Sequence, residues 1–193
     1  MTLILASASP IRRQMLDAAG VAVRAVAADI DEAAIKAACD GAVAAATALA
    51  EAKASRISAN NNGEWVIGSD SIVSVNGRMF DKPRDRGEAA DHLRMFSGQR
   101  MTLTSAAAIA RDGSIEWSVA DQAQLRVREL SDHFIANYLD AEWPDVAYCV
   151  GVFRMEGRGV QLFDSIDGSY FTILGMPLLP LLAALRERGL VPA

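Results

Sequence analysis

The sequence of 193 residues predicts a mixed α/β fold, a twisted sheet with flanking helices. Short stretches rich in β-branched residues alternate along the chain with Ala- and Leu-rich stretches of helical periodicity. Hydrophobic residues make up 51% of the chain and charged residues 22%, a balance typical of folded proteins rather than disordered ones. A chain of this length can form one large domain or two lobes and can bury a sizeable core.

Charge, cysteine content and hydropathy argue against several classes of protein. The net charge of −5 disfavours a general binder of nucleic acids or anionic membranes, although one basic pocket could still bind phosphates. Cys39 and Cys149 are too few and too far apart for a disulfide framework or a cysteine metal cluster. The N-terminal segment lacks the features of a signal peptide, and no segment has the apolar length of a membrane span. We therefore expect a cytoplasmic protein.

Up to Pro83, the predicted order is strand, helix, strand, two helices and a hairpin. The apolar run Leu3–Ala6 predicts the first strand, and Gly20 is expected to end the first helix. Gly41 divides an Ala-rich region into two helices, and Lys53 on the second is expected to be a solvated helix lysine. The predicted bounds are 3–6, 11–19, 21–27, 33–59 with the break at Gly41, 66–75 and 78–80.

The loop between the first strand and the first helix is predicted to bind an anion. Small residues that enter a helix N-terminus present free backbone N–H groups and the positive end of the helix dipole. Arg12 and Arg13 lie in the first turn, where a cation is unfavourable to the helix, which indicates a partner anion. With Ser7 and Ser9 they form a candidate phosphate site. The alternative is that both arginines are solvated surface charges.

A hairpin with a carboxylate near its open end follows. Asn76-Gly77 favours a two-residue type I′ turn, and counting outward from it places Asp70 near Lys82. The strand period of two places Asp70 on the same face as buried apolar residues, where an unpaired charge is costly. A lysine, a metal ion or a raised pKa should therefore compensate it. The alternative is a solvated aspartate in a simple hairpin salt bridge.

The rest of the chain is predicted to alternate helices and strands around a glycine-rich loop. Gly157 and Gly159 in that loop permit positive φ or close approach of the backbone to a ligand, and Glu156 lies beside them. His92 and His133 are expected to be surface or packing residues. The predicted helices are 88–96, 132–139 and 178–188. The predicted strands are 100–110, 160–166 and 171–174, with one or two more strands in 115–128.

Taken together, these motifs resemble those of the Maf-like nucleoside triphosphate pyrophosphatases along almost the whole chain. The segments that carry the resemblance are LASASPIRR (5–13), Glu32, EAKA (51–54), GSDS with DKP (68–83), FSGQ (96–99) and IDGSYFTILGMPL (166–178). The resemblance implies one Maf-like domain over residues 1–193, with two lobes around a central cleft.

The resemblance also implies an activity. The expected reaction cleaves a nucleoside triphosphate between its α and β phosphates, with Mg²⁺ or Mn²⁺ as cofactor and, in many family members, a homodimer. Asp70 matches the residue that accepts a proton from the attacking water, and Glu32 with Asp70 would hold the metal. The residues expected to complete the phosphate and metal site are Ser7, Arg12, Lys53 and Lys82.

Three positions that the family associates with base specificity carry Ile11, Ser71 and Glu156. Ile11 cannot stack on a cationic base as an aromatic residue would. The loop 153–157 nonetheless resembles that of the branch acting on methylated GTP, and Glu156 can accept hydrogen bonds from a guanine edge. The resemblance thus favours a guanine or modified nucleotide. Two alternatives stay open: a nucleotide-binding regulator of cell division, and a house-cleaning phosphatase for inosine or xanthosine triphosphates.

Overall fold

The computed structural model describes residues 3–192 and has the predicted mixed α/β fold. The strands are β1 (Leu3–Ala6), β2 (Val23–Ala25), β3 (Trp65–Val75), β4 (Arg78–Phe80), β5 (Arg100–Arg111), β6 (Ser114–Val127) and β7 (Phe163–Asp167). The α-helices are α1 (Pro10–Ala18), α2 (Glu32–Ala37), α3 (Gly41–Ser58), α4 (Arg86–Phe96), α5 (Asp132–Glu142), α6 (Tyr170–Ile173) and α7 (Leu178–Glu187). Two 3₁₀ helices span Asp145–Tyr148 and Arg158–Leu162.

Two of the predicted strands are wrong in whole or in part. Residues 160–166 begin in a 3₁₀ helix, and the strand starts only at Phe163, where it pairs with β6. Residues 171–173 form the end of the short helix α6 and Leu174 is its C-cap, so these residues do not form a strand. Periodicity cannot distinguish a short apolar run in a strand from one in a buried helix. In the structure, Gly175 has a φ of +107° and turns the chain shortly after α6.

The strands follow the order β2-β1-β3-β5-β6-β7, with β4 paired to β3. β1 lies parallel to both β2 and β3. The hairpin has the predicted turn, because Val75 pairs with Arg78 and Val73 with Phe80 around Asn76-Gly77. β4 ends at Phe80, as predicted, so Lys82 lies beyond the paired residues. Pro83 lacks a backbone N–H and restricts the residue before it, which disfavours further pairing.

The chain divides into two compact units, and the first contains residues 3–71, Thr104–Asp121 and 169–192. Its core follows the strand period of two. Leu5 of β1 packs in one apolar cluster with Leu16 of α1 and Leu181 of α7. Ile4 faces the opposite way and packs with Ile57 of α3. A strand with helices on both faces is apolar throughout, as β1 is.

The second unit contains Ile72–Leu103 and Gln122–Gly168. His92 of α4 is buried there, with its ring centroid 5.3 Å from that of Phe80 and 5.8 Å from that of Phe96. The expectation that His92 is a packing residue agrees with these contacts.

None of the helices within residues 3–192 combines the length and the apolar character needed to cross a membrane.

His92 should make the stability of the protein depend on pH. Burial is the main cause that lowers its pKa; Arg78 also lowers it, while Glu88, Asp91 and Asp81 raise it. The unfolded chain therefore binds a proton at higher pH than the folded one, so the free energy of unfolding should fall as pH drops below about 6.5. Urea unfolding at pH 7.5 and 5.0 measures this loss.

The His92→Gln variant is expected to show a smaller loss of stability between the two pH values than the parent. His133→Gln is the control, because His133 is exposed, and it should keep the parent's dependence on pH. An unchanged pH dependence in His92→Gln would contradict the prediction.

Candidate active site

Lys53 joins two carboxylates in the first unit. Its Nζ lies 2.5 Å from Oδ1 of Asp70 and 2.7 Å from Oε1 of Glu32. The lysine is 8% exposed, so the expectation of a solvated helix lysine is wrong. Its position on α3 directs it toward the sheet, and burial of its charge is compensated by the two carboxylates.

Asp70 lies on β3 and is 7% exposed, as the alternation of the strand predicts. Lys53 is the lysine that compensates its charge. The contact uses only Oδ1 of Asp70, and no hydrogen bond from within residues 3–192 reaches Oδ2. The carboxylate is therefore fixed at one oxygen while the other can accept a proton or a ligand.

Gly68, two residues before Asp70, allows α3 to approach β3 closely. A Cβ atom built at Gly68 would lie 2.1 Å from the carbonyl oxygen of Ala50 and 2.7 Å from the backbone nitrogen of Ala54. No side chain fits at those distances, so only glycine permits this packing. The approach brings Lys53, the neighbour of Ala54, within reach of Asp70.

Arg12 is held by four neutral acceptors. Its Nε donates to the carbonyl of Gly175 at 2.9 Å, and its Nη1 donates to Ser7 Oγ at 3.3 Å and to the carbonyl of Ser69 at 3.0 Å. Its Nη2 donates to Ser71 Oγ at 2.9 Å. A guanidinium has five N–H donors, so one N–H on Nη2 is left for a ligand.

The charge of Arg12 is not neutralised by a salt bridge to any carboxylate in the described part of the chain. Burial is the main cause that lowers its pKa, and the charges of Asp70 and Glu32 oppose this effect. An arginine nevertheless stays protonated. A half-buried guanidinium whose hydrogen-bond acceptors are all neutral is suited to bind an anion.

Comparisons with known proteins identify the family of the chain. The family model described as "Maf-like protein" matches residues 2–188. The chain belongs to this family. It is 48% identical to a nucleoside triphosphate pyrophosphatase of Sphingopyxis alaskensis, with 100% of each chain covered. It is 45% identical to a 7-methyl-GTP pyrophosphatase of Rhizobium etli, with 98% of this chain and 97% of the relative covered.

Solved structures give a weaker likeness. The Staphylococcus aureus Ham1 protein aligns with a TM-score of 0.45 and 12% identity, over 68% of this chain and 73% of the other.

Other predicted site residues of this Maf-like protein lie in different surroundings. Arg13 pairs with Asp17 at 3.5 Å, and its side chain is 59% exposed, as expected of a solvated surface charge. Ile11 is half-buried on α1. Lys82 and Glu156 are exposed residues of the second unit.

The glycine-rich loop of the second unit is organised by Arg154. This residue donates to Oε2 of the buried Glu142 at 3.0 Å and pairs with Oδ2 of Asp145 at 3.0 Å. Gly159 is needed for close packing, because a Cβ there would lie 2.5 Å from the carbonyl oxygen of Arg154. The loop thus has a structural framework that leaves the side chain of Glu156 exposed.

Sequence reasoning missed a set of hydroxyl groups around Arg12. Ser105 Oγ lies 2.9 Å from Ser71 Oγ and donates to the carbonyl of Thr172 at 2.8 Å. The hydroxyl of Thr172 donates to Oδ2 of Asp121 at 2.5 Å. Ser105 lies in an apolar stretch without a recognisable motif, and although Thr172 lies within the segment 166–178, nothing in the sequence links either residue to Arg12.

The two carboxylates at Lys53 fit a partial site for a divalent cation. Within residues 3–192, no group of three or more His, Cys, Asp or Glu side chains is arranged to hold a metal. Mg²⁺ in nucleotide enzymes is commonly bound by one or two carboxylates, with substrate phosphates and water as the other ligands. Glu32 and Asp70 meet that requirement, and the side chain of Glu32 is 46% exposed.

Proposed function

We propose that the protein hydrolyses nucleoside triphosphates between the α and β phosphates and releases the nucleoside monophosphate and pyrophosphate. The observation that carries the proposal is the contact of Lys53 with Asp70 and Glu32, in the same compact unit as the anion-binding group Arg12. Relatives that align over nearly their whole length are a nucleoside triphosphate pyrophosphatase and 7-methyl-GTP pyrophosphatases.

In the proposed reaction, Asp70 is the general base. The oxygen of water attacks the α phosphorus while Oδ2 of Asp70 takes its proton, and the bond to the bridging oxygen breaks so that pyrophosphate leaves. Lys53 holds Oδ1 and orients the carboxylate. Arg12 binds the phosphate chain through the remaining N–H of Nη2, with Ser7 as one of its supports. Most of the rate should come from positioning and charge stabilisation.

A divalent cation, Mg²⁺ or Mn²⁺, is part of the proposal. Arg12 and Lys53 are formally balanced by Glu32 and Asp70, so these four groups provide no net positive charge for a triphosphate. A metal bound to Glu32 and Asp70 would supply that charge and lower the pKa of a coordinated water. Lys82 and Arg13 are further candidates to oppose the phosphates.

For the substrate, we propose a guanine or modified nucleotide. Relatives named 7-methyl-GTP pyrophosphatase are 45% and 46% identical to this chain. Glu156 can accept hydrogen bonds from the guanine edge. The family resemblance adds Ile11 and Ser71 as positions associated with base specificity. We further propose a cytoplasmic homodimer without a nucleic-acid partner, in line with the net charge of −5.

To test the proposal, the protein is incubated with a panel of nucleoside triphosphates that includes GTP and 7-methyl-GTP, with and without Mg²⁺. The release of pyrophosphate and of orthophosphate is measured for each nucleotide. Pyrophosphate release that requires the metal is the expected result. Orthophosphate would instead indicate stepwise phosphatase action. Binding without either product would overturn the proposal in favour of a nucleotide-binding regulator.

A further inference from the structure

We infer that Ser105 is a positioning residue that orients the guanidinium of Arg12 through the hydroxyl of Ser71. The inference rests on the proposed function, because it takes Arg12 to bind the phosphate chain. Ser105 lies on β5 and is 0% exposed, so it cannot itself contact a substrate. Any effect of Ser105 on ligand binding must therefore pass through its neighbours.

The contacts of Ser71 and Ser105 determine which of the two hydroxyl groups donates in the hydrogen bond between them. Ser105 Oγ donates to the carbonyl of Thr172 at 2.8 Å, since a carbonyl can only accept. Its 2.9 Å contact with Ser71 Oγ is then a hydrogen bond only if Ser71 is the donor. Arg12 Nη2 can only donate, so it binds a lone pair of Ser71 Oγ. The chain of donors runs from Arg12 through Ser71 and Ser105 to Thr172.

The competing acceptor for the Ser71 proton is the carbonyl of Gly175, which lies 3.1 Å from Ser71 Oγ. This carbonyl already accepts from Arg12 Nε at 2.9 Å. Ser105 Oγ, at 2.9 Å from Ser71 Oγ, is the nearer acceptor, so it takes the proton and turns a lone pair of Ser71 toward Arg12.

This assignment changes the expected role of Ser71. Its single proton is committed to Ser105 and one of its lone pairs to Arg12, so it cannot donate to a nucleobase. Ser71 should then influence the binding of the phosphate chain, which every nucleoside triphosphate shares. The base-specificity role expected from the family resemblance should accordingly be small at this position.

Inorganic tripolyphosphate is the direct probe, because it has phosphates but no base. Isothermal titration should show about 3- to 10-fold weaker binding for Ser105→Ala than for the parent, the loss expected from one orienting hydrogen bond. Ser58→Ala is the matched control. Ser58 is also 0% exposed in the first unit and makes two hydrogen bonds, to the carbonyl of Ser55 and from the amide of Gly113. It should bind tripolyphosphate as the parent does.

Ser71→Ala and the double variant distinguish positioning from a general loss of structure. Ser71→Ala should weaken tripolyphosphate binding by a similar factor. The variant that combines Ser71→Ala with Ser105→Ala should bind tripolyphosphate no more weakly than Ser71→Ala alone, because Ser105 reaches Arg12 only through Ser71. In assays of turnover, both single variants should raise KM by the same factor for every base.

The outcomes separate this inference from the proposed function. If the parent binds tripolyphosphate and Ser105→Ala weakens that binding, the inference holds even when no nucleotide is hydrolysed. The inference is overturned if the parent does not bind tripolyphosphate, or if Ser105→Ala binds it as tightly as the parent. It is also overturned if the losses of binding free energy in Ser71→Ala and Ser105→Ala add up in the double variant. A change in the ratio of kcat/KM between bases in Ser71→Ala would also overturn it.

Discussion

The Asp70→Asn variant is expected to lose pyrophosphate release by about 10²- to 10⁴-fold, the usual contribution of a general base. Asparagine has the same shape as aspartate but cannot take a proton from water. Lys53 retains its contact with Glu32 at 2.7 Å, so its charge is not left alone in the interior. The measurement is kcat with the nucleotide that the parent hydrolyses fastest.

In the absence of divalent metal, tripolyphosphate should bind to Asp70→Asn at least as tightly as to the parent, because the substitution removes a negative charge near the phosphates. Glu51→Gln provides a matched control. Glu51 is a carboxylate on the same helix as Lys53, and its Oε1 accepts from Ser118 Oγ at 2.7 Å, a bond that glutamine can keep. A variant Asp70→Asn that retains more than a tenth of the parent's turnover would remove Asp70 from the mechanism.

Much of the fold could be predicted because its signals are local. The Asn76-Gly77 turn determines which residues of β3 and β4 face each other, and the alternation along β3 places Asp70 in the interior. Gly41 marks the start of α3 within an Ala-rich region whose composition alone gives no boundary. The errors at 160–166 and 171–174 occurred where short apolar runs favour a strand and a helix equally.

The partners of the site residues could not be predicted, because they depend on packing between distant segments. The resemblance to known proteins pointed to Lys53, whereas reasoning from helix spacing alone left it in solvent. The missing information is the close approach of α3 to Gly68, which no periodicity reveals. Similarly, Arg12 is oriented by the carbonyl of Gly175, 163 residues further along the chain, and a carbonyl has no signature in a sequence.

Gly68→Ala should therefore have a large effect on both stability and activity. The added Cβ would lie 2.1 Å from the carbonyl oxygen of Ala50, so α3 or β3 must move. Overpacking of this kind costs about 1–3 kcal/mol or more, which denaturant unfolding can measure. We also expect at least a tenfold loss of kcat/KM under conditions where the variant is folded, because a shift of α3 moves Lys53 away from Asp70.

Two further substitutions test whether the backbone of α3 causes the effect. Gly87→Ala places the same methyl group on α4, where, among residues 3–192, the only atom within 4 Å is Oδ1 of the N-cap residue Asp85, at 3.1 Å. It should leave the free energy of unfolding within about 1 kcal/mol of the parent's. Adding Ala54→Gly to Gly68→Ala should not restore activity. That change removes a side-chain contact at 2.9 Å but leaves the contacts with the carbonyl oxygen of Ala50 and the nitrogen of Ala54. Recovery of activity in the double variant would show that side-chain packing, rather than the helix backbone, requires glycine at position 68.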